Sequence, residues 1–219
     1  MKNEYKEFHG NYNEDQWIVE NIVNLPDGGI FVDVGAADAI KRSNTYHFEK
    51  NGWRGLCIEG DPFFFAENSD DEGPNNSLIK YRENVINAVV SEEDGEIEFM
   101  NRGRHSLSEV WNPELWPSSD HTKVPSYRLD TILEKYNWIK EIDILDICTR
   151  GHDFEVWSSF DYKKYNPKII ITELNRRGPA GSSLADNRVR DFLINETSYK
   201  LVYSTLPDLI FVHPDMELK

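Results

Sequence analysis

One segment, residues 28–61, constrains the fold of this chain more than any other part of the sequence. After two glycines, an apolar run begins at Ile30 and leads into a small-residue turn at Gly35. A short β-branched run between glycines predicts a buried strand of a parallel sheet. Residues 43–45, Ser-Asn-Thr, can cap a following helix, and a second apolar run ends on Glu59. The segment therefore predicts a strand–turn–helix–strand unit with an acid at the tip of its second strand.

The acid at the tip of the second strand suits a nucleoside ligand. Ligands of open parallel sheets bind beyond the carboxyl ends of the strands, where one carboxylate can accept both ribose hydroxyls. Glu59 lies 24 residues after Gly35, which is close to the spacing expected for that role. The alternative is an ordinary βαβ unit in which Glu59 is solvated.

The turn at Gly35 distinguishes between two classes of nucleoside ligand. It lacks the Gly-x-Gly-x-x-Gly fingerprint that binds a pyrophosphate. Asp33 would repel a phosphate but can face an ammonium group. A ligand with a ribose and an amino group but no phosphate therefore fits better than NAD, and S-adenosylmethionine is such a ligand.

The same segment also carries a family resemblance. FVDVGAADA, followed by SNTYHFEKNGWRGLCIEGDP, resembles the FkbM-type methyltransferases, and the similarity continues through NVINAVVSEEDGEIEF, VPSYRLDTIL, IDILDICTRGHDFEV and PKIIITELN. The resemblance implies an S-adenosylmethionine-dependent O-methyltransferase that acts on a hydroxyl of a sugar or glycan-like small molecule. The segment and the resemblance together predict these cofactor-binding residues: Asp33, Gly35, Ala36, Ser43, Asn44, Glu59, Asn87 and Ala88.

The order of predicted elements defines the fold class. Strands alternate with helices until a closing hairpin of residues 199–204 and 208–212, which predicts an α/β three-layer sandwich with a mainly parallel sheet. The resemblance implies a Rossmann-like class I methyltransferase fold with seven strands, the last of them antiparallel to the others. Residues 81–90 and 95–100 are predicted to form a second hairpin.

We expect one domain over residues 1–219, because a chain of this length can enclose a single core. Residues 1–27 are predicted to be an arm and a helix that begins at residues 13–15, with Asp15 either capping the helix or contacting ligand. Residues 101–123 lack a clear period and are predicted to be a lid over the acceptor. Trp111 and Trp116 are its candidate acceptor-binding residues, and the alternative is that they anchor a long loop.

Methyl transfer to a hydroxyl requires alignment and removal of the hydroxyl proton. Two predicted strands end at Cys148 and at Glu173, and residues 149–153 follow the first of them. We predict that His152 is the base and that Asp153 or Glu173 orients it. In the family this turn commonly reads Ile-Asp-Thr-Glu-Gly, so both acids are missing here and no metal site is predicted.

The missing acids leave a second hypothesis open. Arg150 occupies the place of one of them and can bind an anionic acceptor through its planar guanidinium. The alternative to an active enzyme is a catalytically weakened protein of this fold that retains cofactor or partner binding. A nicotinamide dehydrogenase is disfavoured, because the phosphate-binding turn is absent.

The composition of the chain limits which binding partners and which cellular compartment we expect. Asp and Glu outnumber Lys and Arg by 39 to 24, which disfavours nonspecific binding to nucleic acid or an anionic membrane. No apolar run approaches the roughly 20 residues that cross a bilayer. Two cysteines without a secretory signal predict reduced thiols and a cytoplasmic protein. The expected partner is a small-molecule or glycan acceptor.

Overall fold

The computed structural model describes residues 5, 7–66, 76–100, 108–114, 116–177 and 183–219. The helices are α1 (Glu14–Asn21), α2 (Tyr46–Lys50), α3 (Leu78–Tyr81), α4 (Leu129–Leu133), α5 (Asp153–Ser158), α6 (Tyr162–Tyr165) and α7 (Arg188–Glu196). A 3₁₀ helix spans Pro62–Phe65. The strands are β1 (Ile30–Val34), β2 (Arg54–Glu59), β3 (Val85–Asn87), β4 (Val89–Val90), β5 (Gly95–Met100), β6 (Glu109–Val110), β7 (Thr122–Tyr127), β8 (Ile144–Ile147), β9 (Ile169–Glu173), β10 (Asn175–Arg177), β11 (Ser183–Ala185), β12 (Lys200–Ser204) and β13 (Asp208–Val212).

A seven-stranded sheet in the order β12-β13-β9-β8-β1-β2-β3 forms the centre of the molecule. Strand β13 pairs antiparallel with both β9 and β12, while the other four neighbouring pairs are parallel. The sheet is therefore mixed, and the expectation of a mainly parallel sheet is corrected. The expected C-terminal hairpin is present as β12 and β13, which is what introduces the antiparallel pairs.

Alternate residues of the central strands bury their side chains on opposite faces of this sheet, because strand side chains alternate. Val32 belongs to a core cluster that includes residues of α4, α5 and α7. Phe31 belongs to a second cluster, which includes residues of α1, α2 and α3. The central strands are apolar on both faces for this reason, and helices cover both faces of the sheet.

The predicted hairpin of residues 81–90 and 95–100 is wrong. Strand β3 continues the main sheet beside β2, whereas β4 and β5 enter a small four-stranded sheet in the order β4-β7-β5-β6. Strand β7 lies between β4 and β5, parallel to the first and antiparallel to the second. A strand from much later in the chain thus replaces the local pairing.

The N-terminal arm lies against the start of α1. Asn13 adopts a left-handed conformation, with φ 65°, and its side chain makes no capping hydrogen bond. Asp15 instead accepts hydrogen bonds from the backbone amides of His9, at 2.6 Å, and Gly10, at 3.1 Å. The expected cap at residues 13–15 is therefore replaced by a contact through which Asp15 holds the arm.

In the described part of the chain, no helix is both long enough and apolar enough to cross a membrane. Cys57 and Cys148 are both free cysteines.

Candidate functional site

The turn after β1 depends on a glycine. Gly35 has φ +88°, and a Cβ atom added to it would lie 2.4 Å from the carbonyl oxygen of Cys148. A side chain at this position is therefore excluded both by backbone conformation and by the approach of the loop after β8. The amides of Gly35 and Ala36 both donate to the carbonyl of Ile58, which ties the turn to the end of β2.

The carboxylate of Glu59 lies directly beside this turn. Its Oε2 accepts from the amide of Ala37 at 2.9 Å, and its Oε1 accepts from the amide of Asp61 at 2.7 Å. Burial raises the pKa of Glu59 to about 7, against the lowering effect of these two hydrogen bonds. Because a carboxylate oxygen can accept two hydrogen bonds, each oxygen can still accept one from a ligand hydroxyl.

Asn87, the last residue of β3, pairs with Glu59, and Ala88 follows directly after it. The Asn87 side-chain amide donates to the carbonyls of Glu59, at 2.9 Å, and Gly60, at 3.2 Å. The backbone amide of Ala88 donates to the same Glu59 carbonyl at 3.0 Å, and Ala88 is buried. Both predicted residues thus lie beside the acid-tipped strand, and the exposed Asn87 borders the edge of the site.

Asp33 does not face an open turn, contrary to the sequence expectation. It is 3% exposed, and its carboxylate accepts from the Thr45 hydroxyl at 2.5 Å. That hydroxyl in turn accepts from Arg82 Nη2 at 2.7 Å. Burial raises the pKa of Asp33, and the positive charge of Arg82 opposes this effect. Asp33 therefore belongs to a buried network beneath the turn.

Arg82 is the centre of that network, and no sequence pattern singled it out. Its side chain is fully buried and forms an ion pair with Glu49. Its Nη1 donates to the Ala39 carbonyl at 3.2 Å and to the Ser43 hydroxyl at 3.1 Å. The Ser43 oxygen also accepts from the amide of Tyr46 at the start of α2. Arg82 thus fixes both the segment after the Gly35 turn and the first turn of α2.

The loop after β8 contains two consecutive left-handed residues, Arg150 with φ 60° and Gly151 with φ 100°. Cys148 is a thiol that donates to Asp146 Oδ1 at 3.2 Å, and burial raises its pKa well above the usual value. Arg150 is partly exposed and forms no ion pair with any residue that the structure describes. The loop therefore presents a guanidinium and a protonated thiol where the family commonly carries two acids.

His152 follows this loop, and its ring is held between two side chains. Its Nε2 lies 3.1 Å from the Ser91 hydroxyl, and its Nδ1 lies 3.7 Å from Glu155 Oε2. Burial lowers the pKa of His152 despite the opposing effect of Glu155, so the neutral form predominates at pH 7. The partners differ from those predicted from the sequence, which were Asp153 or Glu173.

Asp153 instead has a structural role, because its carboxylate is occupied by hydrogen bonds within the fold. Its carboxylate accepts from the amide and the hydroxyl of Thr149, at 2.9 and 2.6 Å. It also accepts from the Thr172 hydroxyl, at 3.2 Å, and the Glu173 amide, at 3.0 Å. Four donors occupy both oxygens, so Asp153 joins the loop after β8 to the end of β9. Glu173 itself is partly exposed at the tip of β9.

The predicted lid of residues 101–123 is only partly described, because residues 101–107 and 115 lie outside the described residues. Within the described part, β6 and the start of β7 belong to the small sheet. Trp111 Nε1 donates to the carbonyl of Trp116 at 2.8 Å, and its ring stacks on His121 with centroids 3.8 Å apart. These contacts favour the alternative in which the two tryptophans anchor this segment.

Three further acids near the loop after β8 were missed by sequence reasoning: Glu14, Asp146 and Asp208. Asp146 lies inside the apolar run of β8, and a polar residue within such a run was an available signal. Glu14 and Asp208 carry no comparable signal, since an acid at the start of a helix or a strand is ordinary. Among the described residues, no group of three or more His, Cys, Asp or Glu side chains has an arrangement that could hold a metal ion.

A mostly buried sheet that is covered by helices on both faces defines an α/β protein. In open α/β sheets, ligands generally bind beyond the carboxyl ends of the strands, which is where Glu59 and the Gly35 turn lie. Comparison with known proteins gives the family. The family model described as the methyltransferase FkbM domain matches residues 33–201, which is more than half of the chain. The chain therefore belongs to the FkbM methyltransferase family.

A solved structure agrees with this assignment at the level of the fold. The crystal structure of methyltransferase FkbM from Methylobacillus flagellatus KT matches with a TM-score of 0.50 and 13% sequence identity. The match covers 87% of this chain and 45% of that chain, so the present chain spans less than half of its length. No curated protein matches the chain.

Proposed function

We propose that this protein is an S-adenosylmethionine-dependent O-methyltransferase that acts on a hydroxyl of a sugar or glycan-like small molecule. The observation that carries the proposal is the carboxylate of Glu59, which stands at the tip of β2 with one acceptor position left on each oxygen. Membership of the FkbM family supports the reaction class.

The residues around Glu59 fit the cofactor. Two ribose hydroxyls can donate to its two oxygens, and the glycine at position 35 lets the backbone approach a ligand closely. Asn87 and Ala88 border the place where the base of the nucleoside would lie. When bound, the cofactor supplies a methyl group on a sulfonium centre, which is open to in-line displacement by an oxygen. Asp33 and Ser43 serve this site indirectly, because their hydrogen bonds hold the turn and α2.

His152 is the proposed base that takes the acceptor hydroxyl proton. Its ring is neutral at pH 7 because burial lowers its pKa, and a neutral imidazole can accept a proton. Glu173, partly exposed at the tip of β9, is the alternative base. Arg150 is free to bind an anionic group of the acceptor, since it pairs with no acid in the described part of the chain.

A catalytically weakened protein that keeps the cofactor site is the second candidate. The observation that favours it is Cys148, whose pKa is raised well above the usual value by burial and by neighbouring acids. A thiol that stays protonated at neutral pH cannot replace an ionised carboxylate as a base. Detectable cofactor binding without turnover on any hydroxyl acceptor would favour this candidate.

The pH dependence of cofactor binding tests the role of Glu59. Burial raises its pKa to about 7, so the ionised form that best accepts ribose hydroxyls is a minority below that pH. We expect the affinity for S-adenosylhomocysteine to rise roughly tenfold between about pH 6 and pH 8, measured by calorimetry. The stability of the ligand-free protein should instead fall as pH rises from about 4.5 to about 7. Because the pKa of Glu59 is higher in the folded than in the unfolded chain, its ionisation over this range destabilises the fold.

Glu59→Gln is the matched control for this experiment, since glutamine keeps the shape but does not titrate. The variant should bind S-adenosylhomocysteine with an affinity that is weak and nearly constant over the same pH range. Identical pH dependence in the two proteins would show that Glu59 does not contact the cofactor.

A further inference from the structure

Asp61 lies two residues beyond Glu59 and is fully buried. Its Oδ1 accepts a hydrogen bond from the amide of Phe63 at 2.9 Å, and so caps the 3₁₀ helix Pro62–Phe65. Its Oδ2 accepts from the hydroxyl of Ser108, which directly precedes β6 of the small sheet. The Asp61 side chain therefore joins the segment after β2 to the small sheet.

The backbone amide of Asp61 is one of two donors that hold the Glu59 carboxylate. It lies 2.7 Å from Glu59 Oε1, while the amide of Ala37 lies 2.9 Å from Oε2. The direction of the Asp61 amide depends on the backbone at this residue, which the hydrogen bonds of the Asp61 side chain fix. The side chain of Asp61 thus acts on Glu59 through its own main chain.

Gly60, between the two acids, packs against the same small sheet. A Cβ atom added to Gly60 would lie 2.8 Å from Val89 Cγ2 and 3.1 Å from the ring of Phe99. This space is already filled, so the tip of β2 has little freedom to move relative to the small sheet.

The Glu59 carboxylate is also affected by the charges of two nearby acids. Burial raises the pKa of Glu59, and the charges of Asp61 and Asp33 raise it further. Asp33 lies close to Arg82, whose positive charge opposes the rise that burial causes in the pKa of Asp33. Asp61 forms no ion pair with any basic residue that the structure describes. The charge of Asp61 therefore opposes the ionisation of Glu59.

We propose that Asp61 is a positioning residue for Glu59, and that its charge also restricts cofactor binding to the higher pH range in which Glu59 is ionised. This inference rests on the proposed function, because it takes Glu59 as the carboxylate that accepts the ribose hydroxyls. The hydrogen bonds of Asp61 favour binding, since they orient one oxygen of Glu59. Its charge disfavours binding at low pH, since the ionised carboxylate is the better acceptor. Substitutions can separate these two effects because they have opposite signs.

Asp61→Asn tests the charge, because asparagine keeps an acceptor oxygen for the amide of Phe63 but carries no charge. The variant should have a lower Glu59 pKa than the unmodified protein. We expect it to bind S-adenosylhomocysteine about fivefold more tightly than the unmodified protein at about pH 6, and equally tightly at about pH 8, measured by calorimetry. A purely structural role predicts weaker binding at both pH values. The exposed Asp191→Asn is the control and should leave the pH dependence unchanged.

Two further variants test the positioning. Asp61→Ala removes the acceptor oxygens as well as the charge, so it should weaken binding at about pH 8 by roughly fivefold to tenfold. Ser108→Ala removes one of the hydrogen bonds that hold the Asp61 side chain. In the ligand-free protein it should therefore speed hydrogen exchange at the amide of Asp61, which NMR would detect without any cofactor.

Other outcomes would overturn the inference. If Asp61→Asn weakens binding by the same factor at both pH values, the charge of Asp61 does not act on Glu59. Unchanged affinity in Asp61→Ala, or unchanged amide exchange in Ser108→Ala, would show that Asp61 does not position Glu59 in the way proposed. These results leave the cofactor assignment intact as long as Glu59→Gln weakens binding. Failure of S-adenosylhomocysteine to bind the unmodified protein is a separate result that would refute the proposed function, and this inference with it.

Discussion

Arg82→Met is expected to lower the free energy of unfolding by about 3–5 kcal/mol, because it removes one partner of a buried ion pair. The fully buried guanidinium pairs with Glu49 and lies close enough to Asp33 to oppose the rise in its pKa. Without it, both carboxyls remain in an apolar environment with no cation. Urea denaturation monitored by tryptophan fluorescence would measure the loss.

Arg190→Met provides the matched control, since Arg190 forms an exposed ion pair with Asp191. Its expected cost is below about 1 kcal/mol, as is usual for surface pairs. Equal losses in the two variants would show that the Arg82 network does not stabilise the fold. If the cofactor lies at the Gly35 turn, the binding of S-adenosylhomocysteine should also weaken in Arg82→Met, because Arg82 holds the Ala39 carbonyl in the segment after that turn.

His152→Gln is expected to lower kcat by roughly 10²–10⁴ while leaving cofactor affinity nearly unchanged. The proposed base is held by Ser91 and Glu155, and burial lowers its pKa below the usual 6.5. The rate should therefore rise with pH through a value below 6.5 and remain level at neutral pH. Initial rates with labelled cofactor, using an acceptor found by screening hydroxyl compounds, would measure both effects.

Two variants give this experiment its controls. His213 follows β13 and lies at the amino ends of the parallel strands, opposite to the proposed site. His213→Gln should therefore keep full activity. Glu173→Gln separates the alternative base from His152. If Glu173→Gln abolishes turnover and His152→Gln does not, the proton is removed at the tip of β9 and the assignment to His152 is wrong.

Local sequence patterns predicted the part of the site that is built from neighbouring residues. The apolar runs of β1 and β2 and the glycine between them determine the turn, so the position of Glu59 beside Gly35 followed from the sequence. Strand interiors of this kind are recognisable because both faces are buried. The contact of Glu59 with a cofactor stays a prediction, as do the roles of the other predicted site residues.

Contacts between distant segments could not be predicted in this way. Strand β7 separates β4 from β5, although the short link between those two strands is typical of a hairpin. Arg82 pairs with Glu49, and nothing in the pattern around residue 82 distinguishes a buried arginine from an exposed one.

The prediction of which side chains orient His152 was wrong for a related reason. Asp153 adjoins it in sequence, but the first turn of α5 directs that carboxylate back to Thr149 and across to Glu173. Glu155 and Ser91 hold the ring instead, and Ser91 lies 61 residues away in the chain. Adjacency in sequence therefore did not predict adjacency of side chains.

The most direct test of the cofactor assignment is a calorimetric titration with S-adenosylhomocysteine at about pH 8, using the unmodified protein and Glu59→Gln. We expect one binding site in the unmodified protein and an affinity at least about tenfold lower in the variant, which loses charge-assisted hydrogen bonds to the ribose. NAD should not compete. No binding to the unmodified protein, or equal affinity in the two proteins, would contradict the account.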